Sequence, residues 1–108
     1  MASDNTELPH PAREDLQLTN VLFALSDPER LTIVRQLASG PLEMAQCHLS
    51  DPSMPKSTKS HLMKVLREAG VIRNESLGRG RRLSIRHDDL EARFPGLIGS
   101  VLAASADD

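Results

Sequence analysis

The stretch 55–70 constrains this chain more than any other. Pro55, Lys56, Ser57 and Thr58 predict a helix start, and Gly70 predicts its end. A Ser or Thr at such a start can accept hydrogen bonds from free backbone N–H groups, and Gly is the usual residue just past a helix. Between them Leu62, Val65, Leu66 and Ala69 recur at helical spacing, so one side is apolar. The opposite side carries Lys56, Ser57, Lys59, Ser60, Lys64 and Arg67, which makes the first turns small, polar and basic. A helix end of that kind can enter a DNA major groove, where short side chains permit close approach and the N-terminal amides favour phosphate. A Lys-rich amphipathic helix also serves as an ordinary surface helix, so the neighbouring segments decide between the two readings.

Residues 71–77 and 83–86 flank a Gly-rich basic turn, Gly78-Arg79-Gly80-Arg81-Arg82. This pattern predicts a hairpin. Leu83 and Ile85 share one face by period 2, and Arg82, Ser84 and Arg86 share the other. A helix followed at once by a basic hairpin is the outline of a winged helix. The expected fold is therefore mainly α with a small β-hairpin, a winged helix-turn-helix.

Charge agrees with this outline. Residues 52–87 carry nine Lys or Arg against two acids, a net +7, whereas residues 1–51 carry −5 and residues 88–108 carry −4, leaving −2 overall. The distribution matters more than the total, and positive charge confined to one helix and one hairpin suits a single anion-binding face.

A length of 108 residues predicts one domain, with an aliphatic core because there are two Phe and no Tyr or Trp. The expected organisation is a flexible N-terminal arm over 1–13, where Pro9-His10-Pro11 discourages regular structure, a folded domain over 14–104, and an acidic tail over 105–108. No apolar run is long enough to cross a bilayer, and the N-terminus lacks the regions of a secretory signal, so the cytoplasm is the expected location. Cys47 is the only cysteine. It excludes an intramolecular disulfide and a multi-thiolate zinc site within one chain. The ordinary reading is a buried thiol; an intermolecular disulfide and a reactive thiol are the alternatives.

The first helix is expected to begin near Glu14, with Leu18, Val21, Leu22 and Leu25 as its apolar stripe and Phe23 and Ala24 beside it. Ser26 or Asp27 caps the second helix, Pro28 suits its first turn, and Glu29 can close a capping box on Ser26. Leu31, Val34, Leu37 and Ala38 form its core face, and Gly40-Pro41 ends it. Residues 42–49 can form a short third helix. Residues 50–55, with two prolines, make the turn of a helix-turn-helix. Asp88, Asp89 and Glu91 open a last helical stretch that Pro95 interrupts. Leu97, Ile98, Val101 and Leu102 then form a stripe on a short Gly-containing helix that needs a partner surface. The first helix of the same chain and a second subunit are the candidates, and a homodimer is expected.

Ala24-Leu25-Ser26-Asp27-Pro28-Glu29-Arg30-Leu31 resembles the "ALSDPTRL" opening of the ArsR/SmtB family of bacterial winged-helix repressors. Ser60-His61-Leu62-Met63-Lys64-Val65-Leu66-Arg67-Glu68-Ala69-Gly70 resembles that family's "SHHLKVLREAG". The wing over 78–82 also fits, and the resemblance spans about 18–102. It implies a homodimer built by the first and last helices, with Leu18, Val21, Leu22, Leu25, Leu97, Ile98, Val101 and Leu102 at the interface. It further implies a repressor of a palindromic DNA operator, released by an inducer.

Family metal sites are matched poorly. Where the best-known sensors carry Cys-Val-Cys, this chain has Met44-Ala45-Gln46-Cys47-His48. One soft ligand and one imidazole are a weak set for thiophilic metals. His87, Asp88 and Asp89 supply at most half of the other family site, because residues 99–104 offer no His, Asp or Glu. His87 with Asp88 could hold a metal only if a partner subunit supplied further ligands. No cofactor and no resident metal are expected.

On DNA, Ser57, Thr58, Lys59 and His61 are expected near base edges or adjacent phosphates. Lys56 and Ser60 are expected on phosphates, Lys64 further along, and Arg79, Arg81 and Arg82 along the backbone or minor groove. Arg67 can instead pair with a neighbouring acid. No nucleophile–base pair or paired carboxylates suggest an enzyme. The other reading to weigh is a winged-helix interaction module whose basic face binds an acidic protein.

Overall fold

The computed structural model describes residues 7–106. Among them the order is a 3-10 turn Arg13–Asp15, α1 Leu18–Leu25, α2 Pro28–Gln36, a 3-10 turn Leu37–Ser39, β1 Leu42–Glu43, a 3-10 turn Met44–Gln46, α3 Lys56–Ala69, β2 Ile72–Leu77, β3 Gly80–Ile85, α4 His87–Arg93 and α5 Leu97–Ser105. The strands form one antiparallel sheet in the order β1-β3-β2. The fold is mainly α with a small wing, as the pattern predicts. The first helix starts at Leu18 rather than near Glu14, because only a 3-10 turn forms before Leu16, a core residue 1% exposed. Residues 1–6 and 107–108 of the expected arm and tail lie outside the described residues.

The corner between α1 and α2 explains why its sequence is so particular. Asp27 caps α2 by accepting from the N–H groups of Glu29 and Arg30, both at 3.0 Å. Arg30 is buried, and its guanidinium donates back to the carbonyls of Ala24 (2.7 Å) and Phe23 (3.1 Å) at the end of α1. Ser26 donates to Phe23 O and does not form a capping box. Glu29 reaches the loop instead, accepting from the N–H and hydroxyl of Ser50.

Residues 42–49 do not form the expected third helix. Leu42 and Glu43 are extended because they pair with Leu83 and Arg82 as an edge strand. One 3-10 turn follows, in which Gln46 accepts from Glu43 N at 2.9 Å. The Gln36 side chain then clamps the backbone of His48, accepting from its N–H (2.8 Å) and donating to its carbonyl (2.7 Å). With those backbone groups held by a side chain, a continuing helix is excluded. The first element of the helix-turn-helix is thus one tight turn.

The core lies where α3 meets the hairpin and α1. Met63, Leu66, Val71, Ile72 and Leu83 are at most 1% exposed. The basic tip is shorter than the predicted turn. Gly78 (φ +56) and Arg79 alone connect Leu77 to Gly80, a two-residue hairpin loop with the left-handed residue first. Residues 80–82 therefore belong to β3, which points Arg81 and Arg82 to opposite faces.

Gly70 ends α3 in the left-handed region (φ +87), and a Cβ there would lie 2.0 Å from Leu16 Cδ2. Leu16 is enclosed and cannot retreat freely. Gly70→Ala is expected to destabilise the fold by about 2 kcal/mol or more from backbone strain and overpacking. Denaturant unfolding checks this; a change below about 0.5 kcal/mol would contradict it.

Candidate nucleic-acid interface

Helix α3 shows solvent its Lys56, Ser57, Thr58, Ser60, His61, Lys64 and Glu68, while Leu62, Met63, Leu66 and Ala69 face the core. Its N-cap is Pro55, with no side-chain cap. Ser57 and Thr58, expected as caps, lie inside the first turn, and the carbonyl of Pro55 accepts from Thr58 N (3.0 Å) and Lys59 N (3.3 Å). The positive end of the helix is therefore not closed by a side chain of its own, which favours an approaching anion.

Basic residues of the helix and wing divide into two groups. Lys56, Lys64, Arg79 and Arg82 are exposed. Arg73 of β2 is exposed as well but reaches back to Asp89, and the remaining ones turn inward. Lys59 donates its ammonium to the carbonyls of Met44 (2.8 Å) and Cys47 (2.7 Å), tying α3 to the preceding turn. Arg81 donates to the side chain and carbonyl of Asn74, both at 2.8 Å, and braces the hairpin from within. Arg67, placed on the polar face by spacing, is only 6% exposed. It donates to the carbonyl of Pro9 at 2.6 Å rather than to an acid. Arg86, expected beside Arg82 on the outer face, is buried because the chain leaves the sheet at that residue to start α4. Between the start of α3, the 3-10 turn at Met44 and the wing tip lies an open hollow of about 360 Å³, lined by Lys56, Lys59, Ser60, Arg79 and Arg81 with Glu43 at its edge.

Pattern reading placed Asp89 at a helix start and in half of a family metal site, and missed its partners. Its carboxylate accepts from Arg13 (2.7 Å), Arg73 (3.3 Å) and Arg86 (2.8 and 2.9 Å). Arg86 also donates to the carbonyl of Pro11 at 2.8 Å. The hydrogen bond from Arg13, followed by Arg86, holds the Asp89 carboxyl below the usual carboxylate range despite the opposing effect of burial. In the sequence, only the i, i+3 spacing of Arg86 and Asp89 hints at this cluster. The residues before α1 are accordingly attached to the wing root, where a flexible arm was expected. With its oxygens taken by three guanidinium groups, Asp89 is not free to join His87 and Asp88 around a metal. Among the described residues no three His, Cys, Asp or Glu side chains are gathered for one. Cys47 is 2% exposed, and burial pushes its thiol pKa up, the opposite of what a reactive thiol needs.

The two apolar stripes also divide. Val21, Leu25 and Ile98 are buried in the chain's own core, because α1 packs on α3 and α2 and α5 packs on α4 and α2. Leu97, Val101 and Leu102 are half-buried. Leu18 and Leu22 remain 45% exposed and Phe23 64%. No described helix is long and apolar enough to cross a membrane.

No family model matches the chain. Individual relatives do. It is 32% identical over 88 residues to the HTH-type transcriptional regulator YceK of Bacillus subtilis, covering 80% of this chain and 88% of that protein. The chain belongs to the ArsR/SmtB family of winged helix-turn-helix transcriptional regulators. A solved relative is the homodimeric winged helix-turn-helix domain of Mb0332 from Mycobacterium bovis, described as a possible ArsR-family regulator. It superposes with a TM-score of 0.61 at 25% identity, covering 78% of this chain and 76% of that one. The regulator NmtR of Mycobacterium tuberculosis is 38% identical over 64 residues, 58% of this chain and 52% of its own length. As an ArsR-family regulator the protein binds DNA and is not an enzyme.

Removing the Asp89 charge leaves buried Arg86 uncompensated. Asp89→Asn is expected to cost about 3 kcal/mol and to lower the melting midpoint by roughly 10 °C or more. The depressed carboxyl contributes stability fully above about pH 4. That contribution is lost as pH falls through its lower folded value. The acid limb of a stability-against-pH curve should therefore flatten in the variant, and an unchanged limb would refute the assignment.

Proposed function

We propose that the protein acts as a homodimeric repressor that places α3 of each subunit in successive major grooves of a palindromic operator and lets go on a signal, working in the cytoplasm. The observation that carries this reading is the segregation of cations: Lys56, Lys64, Arg79 and Arg82 face outward from α3 and the wing. In this reading Ser57, Thr58 and His61 meet base edges, and Lys56, Ser60 and Lys64 meet phosphates. Arg79 and Arg82 follow the backbone or minor groove. Lys59 and Arg81 act differently from the exposed cations: they hold the turn and the hairpin in the shape the others need.

The exposed Leu18, Leu22 and Phe23 of α1, with the half-buried Leu97, Val101 and Leu102 of α5, form the surface we assign to the second copy. Mb0332, of the same fold, is described as homodimeric. Leu22→Glu should shift the protein to monomer in sedimentation and weaken operator binding. A variant that stays dimeric would count against this face.

Selection of tight-binding duplexes from a random pool tests the function. A palindrome with half-sites about 10 base pairs apart is expected; no enriched sequence would point to an acidic protein partner for the same face. On the selected duplex, Lys64→Ala should reduce the slope of log K against log salt by about 0.9 for each phosphate that Lys64 neutralises. Lys59→Met should weaken binding with the slope unchanged, and a slope reduced as in Lys64→Ala would place Lys59 on phosphate.

A further inference from the structure

Residues 7–13 run back along β2, the outer strand of the sheet. Glu7 accepts from the Ser76 hydroxyl at 2.8 Å, and His10 Nε2 accepts from the backbone N–H of Asn74 at 3.0 Å. Pro9 and Pro11 offer their carbonyls to Arg67 and Arg86, and Arg13 reaches Asp89. The segment thus spans α3, the wing and the start of α4 at once.

His10 is the chemically conditional link. A ring nitrogen accepts a hydrogen bond only while the imidazole is neutral; the protonated ring has two donors and no acceptor. The charged groups around it are mostly cations. Arg67 faces it from α3, Arg73 from β2 and Arg86 from the entry to α4. Asp89 is shared among Arg73, Arg86 and Arg13, and Glu7 is turned to Ser76. Protonation would remove the acceptor from Asn74 N–H and add a positive charge beside three guanidinium groups.

We propose that residues 7–13 are an acid-releasable strap, latched across the wing and α3 by neutral His10 and unlatched when His10 takes up a proton. Burial first, then the neighbouring arginines, hold the His10 pKa below its ordinary value, opposed by a hydrogen bond to the backbone of Leu8. The latch is therefore complete above about pH 6.5 and is lost as pH falls through the lower folded value. Asp89, with its own pKa depressed, stays ionised in that range and keeps Arg13 anchored. Release is thus confined to residues 7–11 and uncovers Arg67, whose buried Nε has no hydrogen-bond partner among the described residues. This device does not depend on the operator or dimer assignments.

The test is NMR on the full chain, following the His10 ring and the hydrogen exchange of the Asn74 amide between about pH 7.5 and about pH 5. The amide rates are corrected for intrinsic pH dependence. In the wild type, Asn74 protection should fall about tenfold or more, with the same midpoint as the His10 ring and below its ordinary value. His10→Gln supplies an acceptor oxygen that does not titrate, and protection there should change by less than about twofold. Asn74 protection that persists after the wild-type ring has protonated would overturn the proposal. So would a ring that titrates at or above its ordinary value, or a Gln variant that loses protection as the wild type does. Should the Gln variant fail to fold, the wild-type ring and amide curves decide by themselves.

Discussion

One carboxylate holds together parts of this chain that are remote in sequence. Asp89 gathers Arg13 from before α1, Arg73 from β2 and Arg86 from the strand-to-helix junction. A buried carboxylate is costly unless its oxygens are hydrogen-bonded, and here each donor comes from a different segment. That requirement makes the arrangement specific. Arg86, three residues before Asp89, compensates the charge locally, and the wing root and the segment leading into α1 each add a guanidinium to that pair.

Positive charge in this protein serves two ends. Arginine's fork of planar donors suits backbone carbonyls as well as anions. Arg30 closes the end of α1, and Arg93 donates to the carbonyls of Glu14 and Leu16. Arg81 fastens the hairpin to itself through Asn74. The net +7 of residues 52–87 thus overstates the charge available to DNA. What remains outward lies on one helix face and one wing, while the inward cations fix the shape of the turn and the hairpin.

The family resemblance and the local chemistry answer different questions. Membership in the ArsR/SmtB family accounts for the helix order, the wing and DNA as partner. It names no effector for this chain. The region before α3 holds a buried Cys47 whose carbonyl is occupied by Lys59, and Asp89 is committed to arginines. His10 is a group whose hydrogen-bonding capacity changes with a single proton.

Periodicity and punctuation in the sequence were enough to determine α1, α2, α3 and the hairpin, because amphipathic spacing, the Asp27-Pro28 start and the Gly70 stop act within a few residues. The same local signals located the basic helix and wing. They failed over 42–49, where apolar residues suited a helix but pairing of Leu42 with Leu83 imposed a strand. They failed again for Arg67, Arg81 and Arg86, since period assigns a face but not a partner. Only the tertiary structure decided which cations face outward, that Val21, Leu25 and Ile98 belong to the chain's own core, and that residues 7–13 are fastened to the wing. Each of those outcomes depends on hydrogen bonds or packing between segments far apart in the chain, and such pairings leave no period to read.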